Sequence, residues 1–128
     1  MKIYCDMDGV LVKQTASDGF DLMGWMPDGR QLWDAIKKYS PTILSQLPDE
    51  NWIRCEPQKR IWCARELGVD VPVVVVKRSV GKSGYASKDS VLIDDAIHTH
   101  GAAWSAKGGV FIHHVNAASS IKALNKIL

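Results

Sequence analysis

Ile3-Tyr4-Cys5-Asp6-Met7-Asp8-Gly9-Val10-Leu11 is the stretch from which the rest of the chain can be read. A short apolar strand leaves the N-terminus and ends in two carboxylates at positions i and i+2, followed by a glycine. Two carboxylates at a strand end repel each other unless something cationic sits between them. A hard divalent cation such as Mg²⁺ serves, because it takes oxygen ligands and commonly binds through one or two carboxylates plus a substrate phosphate. The stretch therefore reads as a phosphate-handling site, and the remaining sequence has to supply its other parts.

The bounds come from size and composition. A chain of 128 residues can bury one real core and is too short for two, so residues 1–128 read as a single domain. With 46% apolar and 23% charged residues the composition is that of an ordinary globular protein. A formal net charge of +2 is too small to argue for nucleic acid or an anionic membrane as partner. No apolar run approaches the roughly 20 residues of a membrane-spanning helix. Met1-Lys2 leads straight into a strand, which does not read as a signal peptide. Cys5, Cys55 and Cys63 are odd in number and lack CxxC spacing, which argues against a disulfide framework and against a zinc site. Reduced thiols and a cytoplasmic location are the expectation.

Along the chain, strands and helical patterns alternate. Residues 2–5 form the first strand. Val10 to Pro27 has no clean period and holds Gly19, Gly24 and Pro27, so it reads as a loop or flap. Asp28 and Gln31 sit at the N-cap and capping-box positions of a helix to about Tyr39, with Leu32, Trp33 and Ile36 on its apolar face. Thr42-Ile43-Leu44-Ser45 is a second strand. Pro57 suits the first turn of another helix, with Ile61, Ala64 and Leu67 inward and Gly68 as its stop. The β-branched run Val71 to Val76 predicts a strand covered on both faces, with Pro72 near its start. Residues 77–89 are a basic, glycine-containing loop. Ser90-Val91-Leu92-Ile93 is a fourth strand running into Asp94-Asp95. A helix over about 97–107, a strand at 110–113 and a final helix capped by Asn116, with Ala117, Ile121, Leu124 and Leu128 inward, complete the pattern. Alternation of this kind predicts a parallel α/β sheet with helices on both faces, a three-layer Rossmann-like arrangement of five strands.

In an open α/β sheet, ligands sit beyond the carboxyl ends of the strands. Asp6 and Asp8 follow the first strand, Ser45 closes the second, and Asp94 and Asp95 follow the fourth. Each can do a part of phosphoryl chemistry. A carboxylate at a metal site can attack phosphorus and form an aspartyl-phosphate. A second carboxylate can protonate the leaving oxygen and then deprotonate water. A hydroxyl and a lysine can hold the phosphoryl oxygens where charge gathers, and a second acidic pair completes the metal's oxygen shell.

The series DMDGVLV, ILS, a lysine-bearing loop and VLIDD resembles the haloacid dehalogenase superfamily of phosphatases. DMDGVL is similar to the small 5′-nucleotidase and deoxyribonucleotidase members, and IDDAIHTHGAAWSAKGGVFIHH resembles the short phage-type members. The resemblance spans essentially the whole chain. It implies a sheet of order 5-4-1-2-3, an Mg²⁺ cofactor, and a phosphomonoester substrate, in the first place a nucleotide or deoxynucleotide 5′-phosphate. Sugar phosphates and polynucleotide ends are the alternatives. It makes Asp6 nucleophile and metal ligand. It makes Asp8 the general acid/base and a metal ligand through its backbone carbonyl. It assigns Ser45 to phosphate, Asp94 to the metal directly and Asp95 to the metal through water. Lys82 is the favoured phosphate-side lysine, because Lys82-Ser83-Gly84-Tyr85-Ala86 resembles the spacing in short members; Lys88 comes second and Lys77 third. Larger members insert a cap domain where this chain has only residues 10–27. The site is therefore expected to be open or covered by a small flap, with room for a larger substrate or for a second copy of the chain, in a homo-oligomer, acting as cap.

Other readings are weaker. A phospho-receiver domain keeps its acceptor aspartate after strand three, where this chain has Val76-Lys77-Arg78. A degenerate phosphate-binding regulatory module sits poorly with a full set of acidic groups. Gly81-Lys82-Ser83 lacks the first glycine and the position of a P-loop. His98, His100, His113 and His114 lack a carboxylate at helical spacing and do not read as a metal site. Trp33, Trp62 and Trp104 are core candidates, Phe20 and Trp25 could pack the flap or stack on a base, and Arg54, Lys59 and Arg60 read as a solvated helix face.

Overall fold

The computed structural model describes residues 1–13 and 24–128. Five parallel strands, β1 (Lys2–Cys5), β2 (Thr42–Leu47), β3 (Val73–Lys77), β4 (Ser90–Asp94) and β5 (Val110–His113), form one sheet in the order β3-β2-β1-β4-β5. This is the expected order written from the other edge. β1 lies at the centre, pairing Cys5 with Ile43 of β2 and with Ile93 of β4. In that register Asp6 and Asp94 each follow the paired residues directly, and β2 runs on past them through Ser45 to Leu47.

Alternation along the strands sorts side chains into two layers. Ile3 and Cys5 of β1, Ile43 of β2, and Val91 and Ile93 of β4 face a core shared with Leu32, Trp33 and Ile36 of α1 (Gly29–Ile36). Trp62 and Cys63 of α2 (Trp52–Glu66), and Ala117 and Leu124 of α4 (Ala117–Ile127), complete that layer. Tyr4, Leu44, Val76 and Leu92 face the opposite side and meet Trp104 of α3 (Ala102–Ala106). Trp104 stands edge-on to the Tyr4 ring, 5.5 Å between centroids. No helix of the described residues is long and apolar enough to cross a membrane. The three cysteines are buried and free.

Several local expectations are corrected. Asp28 makes no side-chain cap on α1; its carboxylate accepts instead from the backbone N–H of Ala117 at 2.6 Å, at the positive start of α4. The helix after it is α only to Ile36 and tightens into a 3₁₀ turn at Lys37–Tyr39. Pro57 lies inside α2, not in its first turn. Without an N–H it cannot donate to the carbonyl of Ile53, one turn back. Ile61 and Ala64 face outward, because the buried stripe is Cys55, Lys59, Trp62 and Cys63. β3 is an edge strand with Val73, Val74 and Val75 only half-buried; β-branched residues suit an edge as well as a centre, so the run did not reveal its position. The segment before α3 is a π-type turn over Ile97–Gly101. Asn116 caps α4 as expected, accepting from Ser119 N, whereas Leu128 at its end is exposed.

The flap reading falls largely on residues 14–23, outside the described residues, and Phe20 with it. Its two flanks are well defined. Val10, Leu11 and Val12 are fully buried, and Lys13 N donates to Gly24 O. Trp25 packs its ring on Trp62, 5.1 Å between centroids, and its Nε1 donates to Glu66. Its ring therefore serves the body of the protein and is not offered to a base.

The Asp28 bond ties the start of α1 to the start of α4. Asp28→Ala should lower unfolding stability by about 1 kcal/mol, the cost of a lost helix N-terminal acceptor, with an unchanged denaturant slope. A urea midpoint identical to that of the parent protein would show that the tie contributes nothing.

Candidate active site

β1 delivers Asp6 just past its last residue, and the chain then turns on Gly9 at φ +81°. This is a left-handed conformation that L side chains avoid, and a Cβ at this position would also collide with the Asp95 carboxylate. β4 delivers Asp94, whose Oδ1 accepts from Ala96 N at 2.9 Å and whose backbone carbonyl accepts from His114 N. Asp6, Asp94 and Asp95 present carboxylate oxygens within 4.8 Å of one another. An all-oxygen group of this size is the donor set a hard divalent cation takes.

Two buried lysines close on these carboxylates. Lys82, at the start of the 3₁₀ turn Ser83–Tyr85, donates to Asp6 Oδ1 at 2.8 Å and Asp94 Oδ2 at 2.7 Å. Lys59, from the middle of α2, donates to Asp8 Oδ2 at 2.9 Å, Ser45 Oγ at 2.8 Å and the Gln46 carbonyl at 2.7 Å. The structure thus brings Asp6, Asp8, Ser45, Lys82, Asp94 and Asp95 to one end of the sheet. Lys88 is exposed, and Lys77 lies over the Trp52 ring at 4.4 Å; neither is bonded to the aspartates. His114, between β5 and α4, is bonded through Nδ1 to Ser120 of α4.

Lys59 was read as part of a solvated face, and the structure overturns this: it is 1% exposed. The signal was present in the sequence. Lys59 stands four residues after Cys55 and three and four before Trp62 and Cys63, the spacing of one helix face. A lysine flanked by Gln58 and Arg60 looks solvated unless the apolar stripe is found first, and cysteines and a tryptophan mark that stripe less plainly than Leu or Ile.

The electrostatics call for further positive charge. Four carboxylates face two ammonium groups, which leaves two negative charges if all are ionised. Burial, followed by the neighbouring Asp94 charge, pushes Asp6 up to about 8 even though Lys82 pulls it down. Asp95 is raised by burial and then by Asp94. Burial draws the Lys82 ammonium down, but Asp6 and Asp94 more than offset this and hold it above its ordinary value. His100 is lowered by burial and then by Lys82.

No family model matches the chain, and neither does any curated protein. Solved structures do match. The D,D-heptose 1,7-bisphosphate phosphatase of Burkholderia thailandensis superimposes with a TM-score of 0.62 at 11% identity, covering 99% of both chains. The fold is shared with that phosphatase. The enzyme of the same name from B. bronchiseptica, solved with magnesium and phosphate, gives a TM-score of 0.54 at 12% identity over the full length of both chains. At such identities the likeness is one of architecture, and the chemistry has to be argued from the residues of this chain.

Those residues set a pH dependence. Asp6 has a folded value of about 8 against an ordinary 3.8, so between these limits the folded state holds more protons than the unfolded one. The stability of the metal-free protein should therefore fall as pH rises towards 8. Below about 6.5 the lowered His100 and His114 act in the opposite sense, so the fall should be clearest from pH 7 to 8. Melting temperatures in the presence of chelator check this; a flat or rising profile over that interval would contradict the assignment.

Proposed function

We propose that the protein is a Mg²⁺-dependent phosphomonoesterase of the haloacid dehalogenase superfamily, working through an aspartyl-phosphate on Asp6. The single observation that carries this reading is the meeting of Asp6, Asp8, Asp94 and Asp95 with two buried lysines at the carboxyl end of a sheet of this order. The shared fold and the magnesium and phosphate named for one structural neighbour support it.

The roles follow from position. Asp6 and Asp94 would hold Mg²⁺ directly and Asp95 through water, with the Asp8 backbone carbonyl as a further oxygen ligand. The two charges of the cation would offset the two surplus negative charges of the carboxylates. The Asp6 carboxylate attacks phosphorus, the bond to the ester oxygen breaks, and Asp8 gives that oxygen its proton. Asp8 then takes a proton from water as the water attacks phosphorus, which releases phosphate and restores Asp6. Lys82 fixes the rotation of Asp6 through Oδ1 and places a positive charge beside the phosphoryl oxygens. The Ser45 hydroxyl holds one of those oxygens.

For the substrate, a sugar phosphate fits the structural neighbours better than the nucleotide suggested by the DMDGVL string. Trp25, the one described aromatic of the flap, is already committed to Trp62 and Glu66. Nucleotide 5′-phosphates stand second.

A phosphate-release screen over sugar phosphates, nucleotides and polynucleotide ends, with Mg²⁺, should give turnover that chelator abolishes. Asp6→Asn should reduce it by at least about a thousandfold, since nucleophile and metal ligand are lost together. Turnover by Asp6→Asn at the parent rate would show that another group attacks. A further check uses the cation alone: Mg²⁺ should raise the melting temperature more at pH 8 than at pH 5.5, because at pH 5.5 it must displace protons from Asp6 and Asp95.

A further inference from the structure

Lys59 is not accounted for by the roles above, yet it is as deeply buried as Lys82 and lies in the same cluster. An ammonium has three donors and no acceptor. Those of Lys59 reach Asp8 Oδ2, Ser45 Oγ and Gln46 O at 2.7 to 2.9 Å. The carbonyl of Gln46 is part of β2, so it anchors the ammonium to the sheet, and the other two bonds go to side chains.

Two consequences follow from donor and acceptor bookkeeping. Asp8 is held by one oxygen only. Its Oδ1 is buried and, among the described residues, has no hydrogen-bond partner. A buried carboxylate oxygen left unpartnered is costly, and one whose twin is locked to a cation can turn only a little. The second consequence concerns Ser45. Because Lys59 cannot accept, Ser45 Oγ must be the acceptor of their bond, and its own hydrogen is left to donate elsewhere. One cation thus anchors two of the groups that the proposed reaction uses.

We propose that Lys59 is a positioning residue for phosphoryl transfer. It anchors the Asp8 carboxylate through Oδ2 and the Ser45 hydroxyl through Oγ, and so fixes both groups relative to β2 for the proton transfer and phosphate binding assigned to them. This rests on the phosphomonoesterase reading and adds to it a residue from α2. Lys59 forms and breaks no covalent bond in the reaction. It acts through Asp8 on the step in which the phosphorus–oxygen bond breaks and the departing oxygen takes up the Asp8 proton.

The dependence on leaving group tests it. A nitrophenolate leaves with little need of a proton, whereas an alkoxide or sugar oxygen needs one. With Mg²⁺, Lys59→Met should reduce kcat on an alkyl phosphate by about a hundredfold or more, within the range of general-acid contributions. On p-nitrophenyl phosphate the loss should be under about tenfold, and the inhibition constant for inorganic phosphate should rise by less than about tenfold. In an Asp8→Asn background, Lys59→Met should add no leaving-group-dependent loss, because the group it positions is gone. Lys59→Arg keeps a charge opposite Asp8 and serves if the methionine variant does not fold; it should show the same bias towards poor leaving groups in weaker form. Equal losses on both esters, for the variant that folds, would reduce Lys59 to a structural role. A large rise in the phosphate inhibition constant with kcat unchanged would make it a direct phosphate ligand. Either result overturns the inference while leaving the phosphatase reading intact. A parent protein inert on every ester would overturn both.

Discussion

Two ammonium groups, Lys59 and Lys82, are buried at the carboxyl end of the sheet against three aspartates, and the remaining geometry answers to this arrangement. A buried cation is tolerated only when its charge is met and its donors are used. Each lysine satisfies the condition by reaching across elements. Lys82 joins the loop before β4 to the ends of β1 and β4, and Lys59 joins α2 to β2 and to the turn after β1. Removing one partner from a buried pair of this kind typically costs about 3–5 kcal/mol. The lysines therefore hold the strand ends in register from the polar side, as the apolar layers do from below. The arrangement is still short of positive charge, which makes the site a good receptor for a cation and a poor one for a carboxylate ligand.

Much of this could be read from the chain. The five strands and the grouping of Asp6, Asp8 and Asp94-Asp95 follow from apolar runs that end in polar residues, whereas the strand order came from the resemblance, and Ser45 lies inside β2, which runs on to Leu47. Lys82 could be favoured over Lys88 only by resemblance, because which lysine folds inward depends on the path of a loop with no period. Lys59 was misread because a single buried polar residue is invisible to composition, although its phase on α2 was available. Asp28 was misplaced for a different reason: the residue has the right chemistry for a cap, and tertiary structure assigned it to another helix. The π-type turn at Ile97–Gly101 has no local signature, and the edge position of β3 came only with the sheet order that the resemblance implied.

Similarity to known proteins adds less than the geometry does. A shared fold at 11% and 12% identity shows the architecture alone, while the chemistry rests on the side chains that this chain brings together at the carboxyl end of central β1.

The flanks of residues 14–23 have a consequence for how this scaffold can change. Lys13 N bonds Gly24 O, Val12 bridges Trp25, and Trp25 is fastened to α2. The neck is thus sealed independently of what it encloses. Lengthening a closed loop fourfold costs only about 1.2 kcal/mol in closure entropy, so this neck is a port at which a folded module could be grafted beside the aspartates without disturbing the sheet. A chain of this size could acquire a new specificity by accretion at one point, with its chemical machinery left as it stands.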